Sequence, residues 1–592
     1  MKVLIENAIE ELPQMFNFNT KHITESQAKL FREKADNTYP YLNDNMLYLL
    51  EKKRNEEGTE YYITTIANNI KVIKRYVDYN TKEYSYLLEI VINDEIIRFE
   101  VSADTLTTQG LKMLAKHGVL YDEKYIRHLQ KYLIMSAQNA PIEVVHKTLG
   151  WNGDLFLSSK SFPENKTSSK YIGCVDFRPK GSKDTYLDMI KEQVLQHTPL
   201  LFVWLIGFCS IILNYLNKHF DFGCLIFALN NLSSKGKTTS AMLSASIASN
   251  PIFDRGLITN FSGTSNAVLN FVSQSNGHTV ALDEAGTAEA LQSRKLLYQM
   301  CSGRERKRLN TSGELKETAE FNSAIIVTSE HSIIDSSAPN GIRARIFELT
   351  DELTLSAEHS NIIKTTVLNN YGWLYEDFIT YVFNYLDDIL DDYKSISEVL
   401  KMGFQGVKGE LTDRVLEKLA VIYLTAYYVK DCFELELNLE DVKEYIYTLE
   451  NRINTEADLS DKALDCILDY ISRNSSKFIR TNVSDCESCV EGKIIKSNNN
   501  VEISILKSVA DNILSKSGFE NNITIARKWQ QKGILTTEGD RTNKRIKITA
   551  DLPLLPCYIF KLPMCSNKHV TKHPIIYESL SSDNLDDIDI KL

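Results

Sequence analysis

Residues 224–238 read CLIFALNNLSSKGKT, and a helical pattern follows to about Ala248. An apolar strand, a loop of small residues and a helix, in that order, are the context of a phosphate-binding P-loop. In such a loop, backbone N–H groups at the helix N-terminus meet anionic oxygens, Lys237 reaches the β- and γ-phosphates of ATP, and Thr238 coordinates Mg²⁺. The predicted nucleotide-contacting residues are Asn231, Ser233, Ser234, Lys235, Gly236, Lys237, Thr238 and Thr239.

The first position of this loop carries Asn231 where the usual pattern has glycine. Asparagine tolerates left-handed backbone angles better than other non-glycine residues, so the loop can still turn. The alternative is a loop that matches the P-loop pattern by chance. The sequence downstream argues against this alternative. A second apolar strand at 279–282 ends in Asp283-Glu284, which is a Walker B pattern. Asp283 is predicted to hold Mg²⁺ and Glu284 to orient the attacking water.

A third apolar strand, residues 323–327, ends in Thr328-Ser329. A hydroxyl at this place suits a sensor of the γ-phosphate, and we favour Thr328 over Ser329. Arg343 and Arg345 precede a further apolar strand, and one of them is a candidate arginine finger for a neighbouring subunit. Surface salt bridges are the alternative role for these two arginines.

Between the second and third strands, residues 303–316 read GRERKRLNTSGELK. The turn at Ser312-Gly313 predicts a β-hairpin, and five cations against two acids suit backbone phosphates of DNA better than a plain solvated loop. The predicted DNA-contacting cations here are Arg304, Arg306, Lys307, Arg308 and Lys316.

The C-terminal region predicts a winged helix: helices at 505–517 and 523–532, then a wing at 539–548. The second helix presents Arg527, Lys528 and Lys532, and the wing presents Lys544 and Arg545, so DNA contact is predicted; a protein-contact role stays open. Cys486 and Cys489 have zinc-ligand spacing without a second tight pair, so metal binding at these residues also stays open.

The composition limits the class of protein in which these motifs occur. A chain of 592 residues is too long for one hydrophobic core, and 43% hydrophobic with 24% charged residues is typical of folded globular proteins. The net charge of −11 excludes indiscriminate binding of nucleic acid, so DNA contact requires a local basic site. Ten scattered cysteines and the absence of a signal-peptide pattern in residues 1–12 predict a cytoplasmic protein. The apolar stretch 199–216 is predicted to be a buried helix, not a membrane span.

The predicted domain boundaries follow changes in hydrophobic periodicity. They are an N-terminal helical extension (1–60), a β-rich N-terminal module with a linker (61–195), the ATPase core (196–355), a helical lid (356–460), the winged-helix-like domain (461–576) and an acidic tail (577–592).

The motifs together resemble the domain-of-unknown-function family 927, and in particular the MCM-like self-loading replicative helicases (Cch) of staphylococcal cassette chromosome elements. The resemblance extends from about residue 61 to residue 562 and includes the segments 150–151 (GW), 233–239 (SSKGKTT), 264–267 (TSNA), 283–284 (DE), 303–308 (GRERKR) and 328–330 (TSE). It implies an AAA+ fold, hexameric rings, 3′-to-5′ unwinding, and a pre-sensor-1 hairpin at residues 304–316. It also favours Arg345 as the arginine finger.

We therefore predict an α/β protein with an AAA+ P-loop ATPase core: an ATP- and Mg²⁺-dependent DNA helicase of a mobile genetic element. Its expected partners are single-stranded or forked DNA and further copies of the same chain in a hexamer. Two alternatives remain open: a DNA-stimulated initiator or remodelling ATPase that does not separate strands, and a nucleotide-switched DNA-binding protein.

Overall fold

The protein is described from a computed structural model, which combines five β-sheets with helices throughout the chain. The described residues are 19–563 except for 36, 37, 39, 44, 45, 93, 94, 231–235, 262, 285–289, 305–320, 335–339, 407, 458, 480–489, 497–499, 518, 520, 521, 538–540, 550 and 551.

The first sheet is antiparallel, with the strand order β1-β4-β3-β2, and one helix packs on it. Its elements are β1 (Thr20–Ile23), α1 (Glu25–Ala35), β2 (Tyr41–Asn43), β3 (Met46–Asn55) and β4 (Gly58–Asn68). The prediction of a helical extension over residues 1–60 is therefore wrong for 20–23, 41–43, 46–55 and 58–60. These segments are strands because the long β3–β4 hairpin buries their aromatic and aliphatic side chains, and such tertiary pairing outweighs local propensity.

The second sheet has the order β12-β8-β5-β6-β7 and is covered by α2 (Ile126–Asn139), beside a smaller three-stranded sheet. Their strands are β5 (Ile70–Asp78), β6 (Tyr84–Ile92), β7 (Glu95–Ser102), β8 (Ile142–His146), β9 (Gly150–Asn152), β10 (Leu155–Leu157), β11 (Ser161–Phe162) and β12 (Lys170–Tyr171). A short helix, α3 (Lys183–Met189), then leads to the core.

The central sheet is wholly parallel, and its strands lie in the order β14-β15-β16-β13-β17. The elements of this region are α4 (Thr198–Leu216), β13 (Leu225–Asn230), α5 (Lys237–Ala245), β14 (Ile258–Asn260), α6 (Ser265–Gln274), β15 (Val280–Asp283), α7 (Ala290–Cys301), β16 (Ala324–Ser329), α8 (Asn340–Arg343) and β17 (Ile346–Leu349). Because β16 lies between β13 and β15, the connections from β13 to β14 and from β16 to β17 each pass over at least one other strand of the sheet. The strands are apolar because both faces of a parallel sheet are covered.

Among the described residues, α4 is the helix long and apolar enough to cross a membrane, but 89% of its apolar window is buried inside the protein. It packs closely on α5 through Gly207, where a Cβ atom would lie 2.4 Å from a methyl carbon of Ile247 and 3.0 Å from the carbonyl oxygen of Ser244. The structure thus confirms the prediction of a buried core helix.

The chain after β17 is helical, as predicted for the lid. The helices are α9 (Ala357–Asn369), α10 (Leu374–Asn384), α11 (Ile389–Gly403), α12 (Thr412–Cys432) and α13 (Leu439–Ala457). They share one continuous hydrophobic core with α4 and the central sheet.

The C-terminal domain has a sheet of order β18-β19-β20-β22-β21 and three helices around the buried Trp529. Its elements are α14 (Leu459–Arg473), β18 (Phe478–Ile479), β19 (Gly492–Lys496), β20 (Asn500–Leu506), α15 (Lys507–Lys516), α16 (Asn522–Gln531), β21 (Lys544–Ile546) and β22 (Leu555–Pro563). Cys486 and Cys489 lie outside the described residues.

Candidate functional site

The candidate site lies where three adjacent strands of the central sheet end. Because β13, β16 and β15 are parallel neighbours, their carboxyl ends meet at one edge of the sheet. Asn230 ends β13, Thr328 lies one residue before the end of β16, and Asp283 ends β15. The order of strands therefore brings together residues that are 45 to 98 positions apart in the sequence.

A hydrogen-bond network joins the polar side chains at this edge. The Thr328 hydroxyl donates to Oδ1 of Asp283 and accepts from the backbone N–H of Glu284 at 3.0 Å. Thr328 and Asp283 are only 3% and 5% exposed, so neither partner can be replaced easily by solvent. Ser329 instead accepts from the backbone N–H of His331 at 3.2 Å. The structure thus brings Thr328, and not Ser329, together with Asp283.

Glu284 has a left-handed backbone, with φ of 61°. Such a conformation is uncommon for a residue with a long side chain, and it persists where surrounding contacts enforce it. The N–H bond to Thr328 is one such contact. Glu284 is exposed and directly follows the buried Asp283 at the end of β15.

The helix α5 begins at the same edge. Gly236 precedes it with φ of 86°, and a Cβ atom there would lie 2.5 Å from the Thr354 side chain. The left-handed backbone and the close approach of Thr354 both require glycine at position 236. The Thr238 hydroxyl lies 3.3 Å and 3.4 Å from the two carboxylate oxygens of Asp283. The hydroxyl of Thr239 points elsewhere, since it bonds Ser360 of α9 at 2.8 Å.

Four predicted nucleotide contacts, Asn231, Ser233, Ser234 and Lys235, lie outside the described residues. The described groups nevertheless fit ATP with Mg²⁺. A helix N-terminus favours phosphate, and a threonine hydroxyl beside a carboxylate offers the oxygen ligands that Mg²⁺ takes.

Asn230 is a polar residue at this edge that the sequence reasoning missed. It is 7% exposed, and within the described part of the chain neither its amide oxygen nor its amide nitrogen has a hydrogen-bond partner. A buried orphan amide of this kind is costly, so a ligand or water that completes it is the simplest explanation. The signal in the sequence was a polar residue closing an otherwise apolar strand.

The two candidate finger arginines lie at the opposite, amino-terminal edge of the sheet. Arg345 directly precedes β17, and its guanidinium donates to the carbonyl oxygens of Phe222 at 2.8 Å and Asp221 at 3.3 Å. Arg343 is only 2% exposed. Four residues of β17 separate Arg345 from the carboxyl edge of the sheet, a distance of about 13 Å. The structure therefore does not bring Arg345 together with Asp283 of the same chain.

Of the basic residues predicted in the insertion, Arg304 is described and exposed. The others, Arg306, Lys307, Arg308 and Lys316, lie outside the described residues. The chain enters and leaves this segment at one place, because the N–H of Phe321 donates to the carbonyl oxygen of Gly303 at 2.9 Å.

In the C-terminal domain, two of the three cations predicted on or beside the second helix form ion pairs within the protein. Lys528 pairs with Glu410 at 3.4 Å and Lys532 with Asp461 at 2.7 Å, although Arg527 is exposed. On β21, Arg545 is exposed and Lys544 is half-buried. Arg527 on the helix and Arg545 on the wing strand are therefore the cations among these five that are exposed and form no ion pair within the described residues.

Comparison with known proteins gives two family matches and a structural neighbour. Residues 41–320 match a domain of unknown function, DUF927, and residues 458–565 match the Cch helix-turn-helix domain. A solved structure of the SCCmec type IV Cch, described as an active helicase, aligns with a TM-score of 0.71 over 88% of this chain and 97% of that chain. The sequences are 23% identical, so this likeness shows a shared fold. No curated protein matches the chain.

Proposed function

Since this chain combines a DUF927 domain with a Cch helix-turn-helix domain, we propose that it is an ATP-driven DNA helicase of a staphylococcal cassette chromosome element. The observation that carries the proposal is the group formed by Thr238, Asp283, Glu284 and Thr328 at the carboxyl edge of the parallel sheet. The strand order 2-3-4-1-5 of that sheet, with β13 counted as the first strand, agrees with the AAA+ core that the family resemblance implies.

Each residue of the group has a role in the proposed reaction. Lys237 would bind the β- and γ-phosphates, while Thr238 and Asp283 would hold Mg²⁺. Glu284 would orient a water molecule toward the γ-phosphate, and Thr328 would hold Asp283 and the turn at Glu284 in place. Bound ATP supplies the phosphoanhydride bond whose hydrolysis releases the free energy for movement.

The proposed helicase is a ring, because its hydrolysis site would take residues from two neighbouring copies. Arg345 lies at the far edge of the sheet from its own Asp283, so it would act on the nucleotide of a neighbouring copy. A hexamer is the assembly that the family resemblance implies. The basic segment from Arg304 to Lys316 and the wing residues Lys544 and Arg545 would contact single-stranded or forked DNA.

Measurement of ATP hydrolysis and of strand displacement on a forked duplex tests the proposal. We expect Lys237→Ala to lose nucleotide binding, and Glu284→Gln to bind ATP but hydrolyse it at least 100-fold more slowly. Lys364→Ala, which changes an exposed lysine of α9, is the matched control and should retain both activities. Unwinding that survives in both active-site variants would refute the proposal. Hydrolysis stimulated by DNA without strand displacement would select the remodelling ATPase instead.

A further inference from the structure

The short loop between α6 and β15 is a junction of three domains. In the N-terminal module, the N–H of Leu149 donates to the carbonyl oxygen of Gln274 at 3.3 Å. In the ATPase core, the N–H of Gly277 donates to the hydroxyl oxygen of Ser323 at 2.9 Å. From the helical lid, the hydroxyl of Tyr375 on α10 donates to the carbonyl oxygen of Gly277 at 2.8 Å. The N-terminal module, the core and the lid therefore all bond to this loop.

Three asparagines at this junction bond to one another, and we refer to Asn214, Asn276 and Asn322 as the asparagine relay. The side-chain Nδ2 of Asn214, on α4, donates to Oδ1 of Asn276 at 2.8 Å and to the carbonyl oxygen of Asn322 at 3.1 Å. The same Oδ1 of Asn276 accepts the backbone N–H of Asn322 at 2.9 Å. Both backbone polar groups of Asn322 are therefore bonded by the side chains of the other two asparagines.

One end of the relay is bonded to the N-terminal module. The backbone N–H of Trp151 donates to Oδ1 of Asn214 at 3.3 Å, and its indole N–H donates to the carbonyl oxygen of Ile211 at 3.0 Å. The preceding Gly150 has φ of 96°, and a Cβ atom there would lie 2.9 Å from the carbonyl oxygen of Asn276. Strand β9 of the module therefore lies directly against the relay.

The other end of the relay is the exit of the basic insertion, which we define as residues 303–321. The N–H of Phe321 donates to the carbonyl oxygen of Gly303 at 2.9 Å and closes the root of the insertion. Asn322 is the next residue, and β16 begins two residues later. The relay thus joins the N-terminal module to the place where the basic insertion returns to the central sheet.

The two side-chain amides have different chemical requirements. Asn214 accepts through its oxygen and donates through its nitrogen, and it is only 6% exposed, so water does not readily replace these bonds. Asn276 uses its oxygen as the acceptor in both of its relay bonds. An aspartate carboxylate accepts but does not donate. Aspartate can therefore replace Asn276 in the relay, whereas it cannot replace Asn214.

We propose that Asn276 is a positioning residue for strand displacement. Through the asparagine relay it holds the exit of the basic insertion against the N-terminal module, which serves as the fixed body against which the insertion moves DNA. A contiguous network of bonds can carry such coupling, whereas a loosely held root would lose it. This inference rests on the proposed function, in which the basic insertion contacts DNA. The relay lies at the edge of the sheet opposite Asp283, so it takes no part in hydrolysis itself.

Two variants of Asn276 test the relay in the full chain. Asn276→Asp keeps both accepted bonds, whereas Asn276→Leu has a similar size and removes them. We expect both to hydrolyse ATP without DNA within about twofold of the wild-type rate, while the base pairs separated per ATP hydrolysed fall about 10-fold in Asn276→Leu alone. Phosphate release and strand displacement on the same forked duplex measure these quantities. A purely structural defect would lower hydrolysis and displacement together.

Two further variants are matched controls. Asn214→Asp makes the same chemical change as Asn276→Asp, but it should uncouple displacement, because its carboxylate faces the oxygens of Asn276 and Asn322. If Asn214→Asp does not fold, the two Asn276 variants still decide. Asn68→Leu removes two bonds inside the N-terminal module, to Leu120 and Gly118. It should lower the melting temperature without changing the base pairs separated per ATP.

Hydrogen–deuterium exchange gives a readout that does not depend on hydrolysis. Binding of a 20-nucleotide oligothymidine should slow amide exchange at the exit, residues 322–329, and in the module, residues 149–157, of the wild type and of Asn276→Asp. In Asn276→Leu the exit should still respond, and the response of residues 149–157 should be lost.

The outcomes separate this inference from the proposed function. Equal numbers of base pairs separated per ATP in the wild type and in Asn276→Leu would overturn the inference, and so would a parallel fall in hydrolysis and displacement. A wild-type protein that hydrolyses ATP without displacing strands would contradict the helicase. The exchange of residues 149–157 would then decide on the relay: a response lost in Asn276→Leu supports it, and a response equal to that of the wild type overturns it.

Discussion

Substitution of Thr328 best distinguishes a catalytic role of its hydrogen bonds from a purely structural role. Its hydroxyl both donates to Asp283 and accepts the backbone N–H of Glu284. Thr328→Val keeps the shape of the side chain and removes these two bonds at once. Thr328→Ser keeps the hydroxyl and loses one methyl group.

The expected loss of stability follows from the two bonds. A hydrogen bond to a buried carboxylate contributes about 2 kcal/mol, and the bond to the N–H of the more exposed Glu284 about 1 kcal/mol. The free energy of unfolding should therefore fall by about 3 kcal/mol in Thr328→Val and by about 1 kcal/mol in Thr328→Ser. If displacement of Asp283 and Glu284 raises the barrier by 1.4 to 2.7 kcal/mol, hydrolysis slows about 10- to 100-fold.

The control is Thr425→Val on α12. Thr425 is equally buried, but its hydroxyl donates only to the carbonyl oxygen of Val421 in the same helix, at 2.7 Å. We expect it to cost about 1 kcal/mol or less and to leave kcat unchanged. Urea denaturation followed by circular dichroism and steady-state hydrolysis at saturating MgATP measure both quantities. A Thr328→Val protein with wild-type kcat would refute the role assigned to this hydroxyl.

Three further predictions address other parts of the molecule. Burial lowers the pKa of His278 to about 3. The stability that the neutral imidazole contributes is therefore complete above pH 6.5 and is lost as the pH falls toward 3. Between pH 7 and 5.5, the free energy of unfolding should drop about 1.3 kcal/mol more in the wild type than in His278→Gln. Arg545→Ala should weaken DNA binding and reduce its logarithmic salt dependence by about 1, whereas the ion-paired Lys532→Ala should change it less in the same fluorescence anisotropy titration. Gly236→Ala should lower both the melting temperature and the affinity for MgATPγS, and the double variant with Thr354→Ala should recover only part of the loss, because the left-handed backbone remains strained.

The strands that carry the candidate site could be predicted because the pattern that marks each of them lies within a short stretch of sequence. Short apolar runs end in polar residues at 230, 283 and 328, and such runs are recognised within six residues of chain. Their order in the sheet was available only through the family resemblance. Nothing in the local sequence shows that β16 lies between β13 and β15, since this pairing joins segments far apart in the chain.

Other features escaped prediction because they depend on tertiary contacts. Residues 41–43 pair with β3 and residues 46–55 pair with β4, so both segments are strands, although they were assigned to a helical extension. The left-handed turn at Glu284 depends on a hydroxyl 44 positions away. The orphan amide of Asn230 is visible only once burial is known, because a lone asparagine in a sequence carries no sign of its solvent exposure.

The positions of Asp283 and Arg345 make the proposed hydrolysis site incomplete within a single copy. Both residues belong to the central sheet, yet they lie at its opposite edges, and a strand of four residues cannot bring them within contact distance. Closing this gap inside one chain would require breaking the β13–β17 pairing, which buries Phe227 against Phe347. If copies associate with the amino-terminal edge of one sheet against the carboxyl edge of the next, Arg345 of one copy can approach Asp283 of the other. The β13–β17 pairing then stays intact. The rate of hydrolysis per chain should therefore rise with protein concentration, and a rate independent of concentration down to the monomer would contradict the shared site.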